Sequence, residues 1–122
     1  MAKIIIVDDS ETLRRQIIGE LGKYGHEFVE AVDGQHGLVV IKDNPDAQFI
    51  FSDVNMPEMD GLTMCEKAQA EGLFEGKRVF MITTESSAEM KSRGKAAGVI
   101  AWLTKPINPE KVQAAIVKLL GQ

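Results

Sequence analysis

Four short apolar runs in this chain are each followed by side chains that could bind a metal ion or a phosphate. The residues at these four places are Asp8 with Asp9, Asp53, Thr83 and Lys105. If the runs are parallel strands, all of these side chains lie at one edge of one sheet, the edge where open α/β sheets bind ligands. Three carboxylates, a hydroxyl and an ammonium gathered there would hold a divalent cation and a phosphoryl group side by side.

The acidic residues of this set also constrain the local backbone. Asp8 and Asp9 are adjacent, and neighbouring side chains within a strand face opposite sides, so both can point to one place only in a loop or at a strand end. A single Asp there is usually a helix cap or a turn residue. Three carboxylates with Asp53 would repel one another unless a cation neutralises them, and unpaired carboxylates are costly to bury. We therefore expect a metal site, and Mg²⁺ suits it because this ion prefers oxygen ligands.

The elements that must position these residues can be recognised from periodicity. Short β-branched or aromatic runs alternate with segments of helical period, which predicts five βα units and a parallel sheet. Leu13, Ile17 and Leu21 recur every four positions and predict the inner face of a first helix. Asn108 as cap and Pro109 at the first helical position predict the start of the last helix.

Three further helices complete the predicted set. Ser86, with Glu89 three residues later, resembles a capping box for a helix that ends near Gly98. The other two helices are expected around residues 35–42 and 62–70.

The predicted strands differ in character. Runs 4–7 and 79–82 are continuously apolar, as expected for strands covered by helices on both faces. Residues 27–32 mix charged with apolar side chains and predict an edge strand that adds nothing to the acidic cluster, followed by a turn at Asp33-Gly34. The sequence thus predicts a three-layer α/β domain with its site near the central strands.

Size and composition exclude several classes of protein. A chain of 122 residues forms a single domain, 1–122, with one hydrophobic core. A net charge of −4 argues against a nucleic-acid or anionic-membrane surface. The only cysteine, Cys65, cannot form an internal disulfide, and no run is long enough to span a bilayer. We expect a soluble cytoplasmic protein without membrane insertion, in which Cys65 packs or is idle and His26 and His36 lie in surface segments with no partner pattern.

Taken in order, these residues resemble the receiver domain of two-component response regulators over the whole chain. The motifs that carry the resemblance are Asp8-Asp9, Asp53-Val54-Asn55-Met56-Pro57 with Asp60-Gly61, Thr83-Thr84 and Lys105-Pro106. The resemblance implies a doubly wound, five-stranded parallel sheet of the flavodoxin-like (βα)5 kind, with strand order 2-1-3-4-5.

The resemblance also implies a role for each site residue. Asp53 would be the nucleophile that takes a phosphoryl group from a phosphohistidine. Asp9, Asp53 and the main-chain carbonyl of Asn55 would ligate Mg²⁺, and Asp8 would act mainly through a bound water. Lys105 would pair with Asp53 at rest and with a phosphoryl oxygen afterwards, and Thr83 would donate its hydroxyl to another phosphoryl oxygen.

The same resemblance indicates how the domain would be used. Asn55 and Glu85 match stand-alone receivers of the chemotaxis type, and we expect no effector domain after the last helix. The expected function is that of a monomeric messenger from a chemotaxis histidine kinase to the flagellar motor switch protein, with a phosphatase as a further partner. It would be no enzyme beyond its own phosphorylation and dephosphorylation. A phosphorelay intermediate, a phosphate sink and a twitching-motility receiver would use the same residues.

Two further features follow from the resemblance. Trp102 occupies the position of a switch aromatic that is usually tyrosine or phenylalanine; the alternative is simple packing of the last strand. Gly94 weakens its helix by about 1 kcal/mol relative to alanine, so we hypothesise that this helix shifts easily and forms the output face with Trp102 and the last helix. The resemblance further implies a cis Lys105-Pro106 bond.

Two alternatives come from other classes of protein. A flavodoxin-like cofactor carrier shares the predicted architecture, but Asp8 and Asp9 would repel a flavin phosphate. An aspartyl-phosphate hydrolase of the haloacid dehalogenase type has a second Asp two residues after its nucleophile, where this chain has Asn55. Both alternatives therefore fit the sequence less well than a receiver does.

Overall fold

The computed structural model describes residues 1–121, in which five strands alternate with five helices. The strands are β1 (Lys3–Val7), β2 (Glu27–Ala31), β3 (Phe49–Ser52), β4 (Arg78–Thr83) and β5 (Val99–Thr104). The helices are α1 (Glu11–Gly22), α2 (Gly34–Asp43), α3 (Gly61–Ala70), α4 (Ala88–Ala96) and α5 (Pro109–Leu120).

All five strands are parallel and lie in the order β2-β1-β3-β4-β5. The predicted fold class and strand order are therefore confirmed, and β2 is an edge strand as expected. The central strands β1, β3 and β4 are almost entirely buried, because helices cover both faces of the sheet.

The two faces of the sheet carry separate halves of the core. Alternate strand residues point to opposite faces, so Ile5 and Ile50 pack with α2, α3 and α4, whereas Ile4 and Ile6 pack with α1 and α5. The rings of Phe51 and Phe80 stack at 5.2 Å on the second face. The molecule is a three-layer domain whose sheet holds the strand ends in fixed register.

Side-chain caps begin every helix, and two of them correct the sequence prediction. Asn108 and Pro109 begin α5 as predicted. The predicted capping box at Ser86 is wrong, because Ser87 caps α4 and accepts a hydrogen bond from the Met90 amide at 3.1 Å. Met90 also packs against the core, in the first turn of the helix that Ser87 caps.

The predicted turn at Asp33-Gly34 is also a helix start. Asp33 caps α2 and accepts a hydrogen bond from the His36 amide at 2.8 Å. The Gly34 amide donates to the Met59 carbonyl at 3.0 Å, and a Cβ on Gly34 would overlap that carbonyl oxygen. A glycine is needed here because two loops approach each other closely.

The expected surface position of His26 is wrong. This residue is only 8% exposed, its Nδ1 accepts from the Ala2 amide at 3.2 Å and its Nε2 lies 2.6 Å from Gln113 Oε1. Since Nδ1 accepts, Nε2 carries the proton and donates it to Gln113. His26 thus ties the start of β2 to α5. No helix within residues 1–121 combines the length and the apolar character needed to cross a bilayer.

Candidate functional site

The parallel register delivers the predicted site residues to one edge of the sheet. Asp8 and Asp9 directly follow β1, Asp53 directly follows β3, Thr83 ends β4 and Lys105 directly follows β5. Adjacent strands end together, because the last residues of β1 and β3, and those of β4 and β5, are register partners. The sheet therefore brings all five residues to its carboxyl-end edge.

The three aspartates form a compact acidic cluster. Carboxylate oxygens of Asp8, Asp9 and Asp53 lie within 4.8 Å of one another. Asp8 is buried, Asp53 is half-buried and Asp9 is exposed, so the cluster is open to solvent on one side. A set of oxygen donors with one accessible face suits a hard divalent cation that keeps some of its water.

Lys105 links two of these carboxylates. Its Nζ lies 2.9 Å from Asp8 Oδ2 and 2.9 Å from Asp53 Oδ2. Burial alone would lower the pKa of the Lys105 ammonium, but the hydrogen bonds to Asp53 and Asp8 outweigh burial and raise this pKa above its usual value. The expected pair with Asp53 is present, and Asp8 is a second partner that the sequence did not reveal. The Lys105-Pro106 bond is cis, as the resemblance implied.

Hydrogen bonds hold Asp8 in place. Its main-chain amide donates to the Ala31 carbonyl at 3.1 Å, and its Oδ1 accepts from the Ser10 amide at 2.9 Å. With Oδ2 bound to Lys105, the orientation of this buried carboxylate is fixed. Asp8 therefore contributes a preset negative charge to the cluster.

Asp53 is also fixed, by its own loop and by α3. Its Oδ1 accepts from the Val54 amide at 2.7 Å. A Cβ on Gly61, the first residue of α3, would overlap the Asp53 carbonyl oxygen. Gly61 is thus the residue that lets α3 begin directly against the strand end.

Glu85 connects Thr83 to the rest of the site. Its amide donates to the Thr83 Oγ1 at 3.3 Å, and its carboxylate accepts from the Asn55 side chain at 2.6 Å. Thr83 itself is fully buried. The sequence indicated Glu85 only by its spacing from Thr83, and the contact with Asn55 required the fold.

The Trp102 side chain extends from β5 and packs against α4 at Gly94. Its Nε1 donates to the Glu85 carbonyl at 2.8 Å. A Cβ on Gly94 would come within 2.9 Å of the indole Cζ3. Gly94 therefore makes room for the indole, which is a packing reason for this residue in addition to its low helix propensity.

Arg14 is a residue near the site that sequence reasoning missed. Its Nη1 donates to the Asp8 carbonyl at 2.7 Å and its Nε donates to Glu30 Oε1 at 2.8 Å. Glu30 lies on β2, so the edge strand supplies a partner for Arg14, while the acidic cluster itself is formed by Asp8, Asp9 and Asp53 and includes no β2 residue, as expected. The helical period could have indicated Arg14, because it lies three residues before Ile17 and seven before Leu21 on the buried side of α1, whereas Arg15 does not.

The chain is similar to known proteins over most of its length. The sequence profile described as response regulator receiver domain matches residues 4–117. The chemotaxis protein CheY homolog of Campylobacter jejuni is 35% identical over 120 residues, which cover 98% of this chain and 92% of that protein. The chemotaxis protein CheY1 of Helicobacter pylori is also 35% identical over 120 residues, with coverage of 98% and 97%.

A solved structure agrees at the level of the fold. The Vibrio cholerae chemotaxis protein CheY4 superposes with a TM-score of 0.86 at 36% sequence identity. The superposition covers 97% of this chain and 98% of that one. The similarity therefore extends over nearly the full length of both chains.

Proposed function

Since this chain belongs to the response regulator receiver domain family, we propose that it accepts a phosphoryl group on Asp53 from a histidine kinase, in a Mg²⁺-dependent reaction. The observation that carries this proposal is the position of Lys105, whose ammonium lies 2.9 Å from both Asp8 and Asp53 at the edge of the acidic cluster. A cation pocket and a fixed ammonium that both adjoin the Asp53 carboxylate can balance the charges of a phosphoryl group.

The chemistry is a displacement at phosphorus. A carboxylate oxygen of Asp53 attacks the phosphorus of a phosphohistidine, and the bond between phosphorus and the imidazole nitrogen breaks. The electron pair of that bond stays on the nitrogen, and Asp53 becomes an acyl phosphate. Positioning and charge neutralisation supply most of the catalysis in such transfers.

The acidic cluster fits a magnesium ion, because its donors are carboxylate oxygens and one side is open. Asp9, Asp53 and the main-chain carbonyl of Asn55 would hold the ion directly, and Asp8 would hold it through a water. A bound Mg²⁺ would neutralise charge on the transferred phosphoryl group.

Two side chains would bind the phosphoryl oxygens after transfer. The Lys105 ammonium would exchange its contact with Asp53 for one with a phosphoryl oxygen. The Thr83 hydroxyl accepts from the Glu85 amide, which leaves its proton available to donate to a second phosphoryl oxygen. Neither step makes the domain an enzyme for an external substrate beyond its own phosphorylation and dephosphorylation.

The output would be phosphorylation-dependent binding of partners. The added charge of about −1.5 to −2 at pH 7 would bias a surface formed by α4, Trp102 and α5. Because the relatives at 35% identity are chemotaxis proteins, we propose that the kinase belongs to a chemotaxis pathway and that the target is the flagellar motor switch protein. A phosphatase would reset the signal, and the domain would act as a cytoplasmic monomer.

The central test is phosphorylation in vitro. We expect acetyl phosphate with Mg²⁺ to place one labile phosphate on Asp53, located by mass spectrometry of the intact protein and its peptides. The label should be absent when a chelator removes the metal and absent in Asp53→Asn. A label on another residue, or one that survives in Asp53→Asn, would contradict the proposal.

A second experiment separates the chemotaxis role from its alternatives. Beryllofluoride, which mimics a phosphoryl group, would be added with Mg²⁺ and binding to a flagellar switch peptide measured. Tighter binding supports the motor role. Unchanged binding would favour a phosphorelay intermediate, a phosphate sink or a twitching-motility receiver. The family assignment argues against the cofactor carrier and the hydrolase, and a colourless protein without phosphatase activity on small esters is expected.

A further inference from the structure

We propose that Arg14 is a positioning residue for the metal site, one that sets the orientation of the peptide between Asp8 and Asp9 and thereby the direction of the Asp9 carboxylate. This inference rests on the proposed function, because Asp9 is one of the residues that would ligate the metal.

The evidence begins with the burial of Arg14. Its side chain is 9% exposed, whereas that of Arg15 next to it is 70% exposed and pairs with Glu11 at 3.5 Å on the surface. The Arg14 guanidinium uses Nη1 for the Asp8 carbonyl at 2.7 Å and Nε for Glu30 at 2.8 Å. An arginine is placed in the interior only where its donors find acceptors.

The Asp8 carbonyl needs such a donor because it lies just beyond the sheet. The last register pairs of β1 involve Val7, whose carbonyl accepts from the Asp53 amide at 3.0 Å. The Asp8 amide still donates to the Ala31 carbonyl of β2. The chain then turns toward α1, and the Arg14 guanidinium is the donor that meets the Asp8 carbonyl.

That one hydrogen bond has a consequence for Asp9. The carbonyl of Asp8 and the amide of Asp9 share one rigid peptide plane. When Arg14 fixes the carbonyl end of this plane, the position of the Asp9 Cα, which carries the side chain, is fixed too. Asp8 is already held by Ser10 and Lys105, so Asp9 is the residue whose direction depends most on Arg14.

The effect of Arg14 is one of geometry, since Glu30 neutralises its charge. The guanidinium presents several N–H donors in a rigid fork, so it can hold Glu30 and the Asp8 carbonyl at once in fixed directions. The ammonium of a lysine is a flexible point charge that does not reproduce both contacts. A lysine at position 14 should therefore restore the metal site only in part.

The test measures Mn²⁺ binding, because Mn²⁺ accepts the same oxygen donors and free Mn²⁺ is counted directly by electron paramagnetic resonance. The variants are Arg14→Met, Arg14→Lys and Glu30→Gln, with Arg15→Met as the matched control. We expect Arg14→Met to weaken Mn²⁺ binding by about tenfold, the lower end of the range for residues that orient metal ligands. Arg14→Lys and Glu30→Gln should each weaken it measurably but by less than about tenfold, and Arg15→Met should leave it unchanged.

A second readout does not involve the metal. In ¹H–¹⁵N spectra of the metal-free protein, Arg14→Met should move the amide resonances of Asp9 and Ser10, and Arg15→Met should not. Thermal melts establish that each binding measurement is made on folded protein. A variant that is merely less stable would keep the parental Mn²⁺ affinity below its melting temperature, and that result would overturn the inference. If Arg14→Met does not fold, parental affinity in both Arg14→Lys and Glu30→Gln would overturn it.

The unsubstituted protein separates this inference from the proposed function. If the unsubstituted protein does not bind Mn²⁺, the proposed metal site fails and the role of Arg14 fails with it. If it binds Mn²⁺ and is phosphorylated on Asp53, but Arg14→Met binds Mn²⁺ equally well, only the positioning role is wrong.

Discussion

The indole N–H of Trp102 donates a hydrogen bond to the main-chain carbonyl of Glu85, 2.8 Å away. The Glu85 amide also donates a hydrogen bond to the Thr83 hydroxyl, and the Glu85 carboxylate accepts one from the side chain of Asn55. One residue therefore joins the end of β4, the loop after β3 and the tryptophan of β5. A movement of Thr83 toward a phosphoryl group should reach the indole through this residue.

The packing of the Trp102 indole against α4 can be tested with Gly94→Ala. The new Cβ would lie 2.9 Å from Cζ3 of Trp102, and overpacking of this kind costs about 1–3 kcal/mol. The gain in helix propensity of about 1 kcal/mol offsets part of that cost. We expect a net loss of about 1 kcal/mol in the free energy of unfolding, measured with urea, and a red shift of the Trp102 emission as the ring moves toward water.

The control for this substitution is Gly19→Ala in α1. Apart from the adjoining residues and the backbone of α1 itself, nothing lies within 4 Å of the Cβ that would be added at Gly19. This variant should be more stable by about 0.5–1 kcal/mol and should keep the parental emission. A stabilised Gly94→Ala with unchanged fluorescence would mean that the indole does not occupy the place described here.

Lys105→Met tests the balance of charge in the pocket. Removing the ammonium leaves Asp8 and Asp53 without their shared partner, so the unoccupied pocket is more negative. We expect Mn²⁺ affinity to rise about tenfold and phosphorylation by acetyl phosphate to fall sharply. The metal-free protein should lose about 3 kcal/mol of stability, because a buried carboxylate loses a partner.

Lys118→Met makes the same change of net charge on the exposed side of α5. It should leave Mn²⁺ affinity within about twofold of the parental value, since exposed charges are screened beyond about 10 Å. Equal effects of Lys105→Met and Lys118→Met would indicate a response to net charge alone.

Gly61→Ala should disturb the strand end that carries Asp53. The added Cβ would overlap the Asp53 carbonyl and come within 2.9 Å of Ser52 Oγ, so either α3 or the loop must shift. We expect a loss of about 2–3 kcal/mol in the free energy of unfolding and a slower phosphorylation of Asp53 by acetyl phosphate. Phosphorylation at the parental rate would show that Asp53 tolerates this displacement.

The buried Cys65 thiol should affect both the reactivity of the protein toward thiol reagents and its stability at high pH. Burial, with smaller contributions from Glu66 and Asp60, raises the pKa of the Cys65 thiol to about 12. The native protein should therefore not react with a thiol reagent near pH 8, and the urea-unfolded chain should react at once. Because the unfolded thiol ionises near its ordinary pKa of 9.0, its contribution to stability is complete below that pH and is lost progressively between pH 9 and 12.

The comparison variant for this effect is Cys65→Ala. It removes the thiol and leaves every other titrating group in place. Its unfolding free energy should fall less steeply between pH 9 and 10.5 than that of the parent. Parallel curves would mean that the thiol contributes nothing to the alkaline loss of stability.

Most of the fold was predictable from local patterns. The apolar runs of β1 and β4, the mixed run of β2 and the capping pair at Asn108 and Pro109 each predict a local structure by themselves. Errors occurred where two residues of equal propensity compete. Ser87 caps α4 in place of the adjacent Ser86.

The polar contacts of the interior were not predictable in the same way. His26 was expected on the surface, but α5 covers it and supplies Gln113 as its partner. The apolar stripe of α1 places Arg14, three residues before Ile17, on the buried side of the helix, but only the fold shows that its partners there are the Asp8 carbonyl and Glu30.

The sequence alone determined which chemical groups stand at the ends of the strands, because alternation of strands and helices is a local property of the chain. It thereby predicted that three carboxylates, a hydroxyl and an ammonium meet at one edge of the sheet. Only the tertiary structure decided how they pair: that Lys105 divides its hydrogen bonds between Asp53 and Asp8, a residue 97 positions away, and that Arg14 holds the peptide between Asp8 and Asp9. The contact between Lys105 and Asp8 depends on strand register, and the contact of Arg14 with the Asp8 carbonyl depends on how the loop between β1 and α1 lies against α1; local periodicity specifies neither.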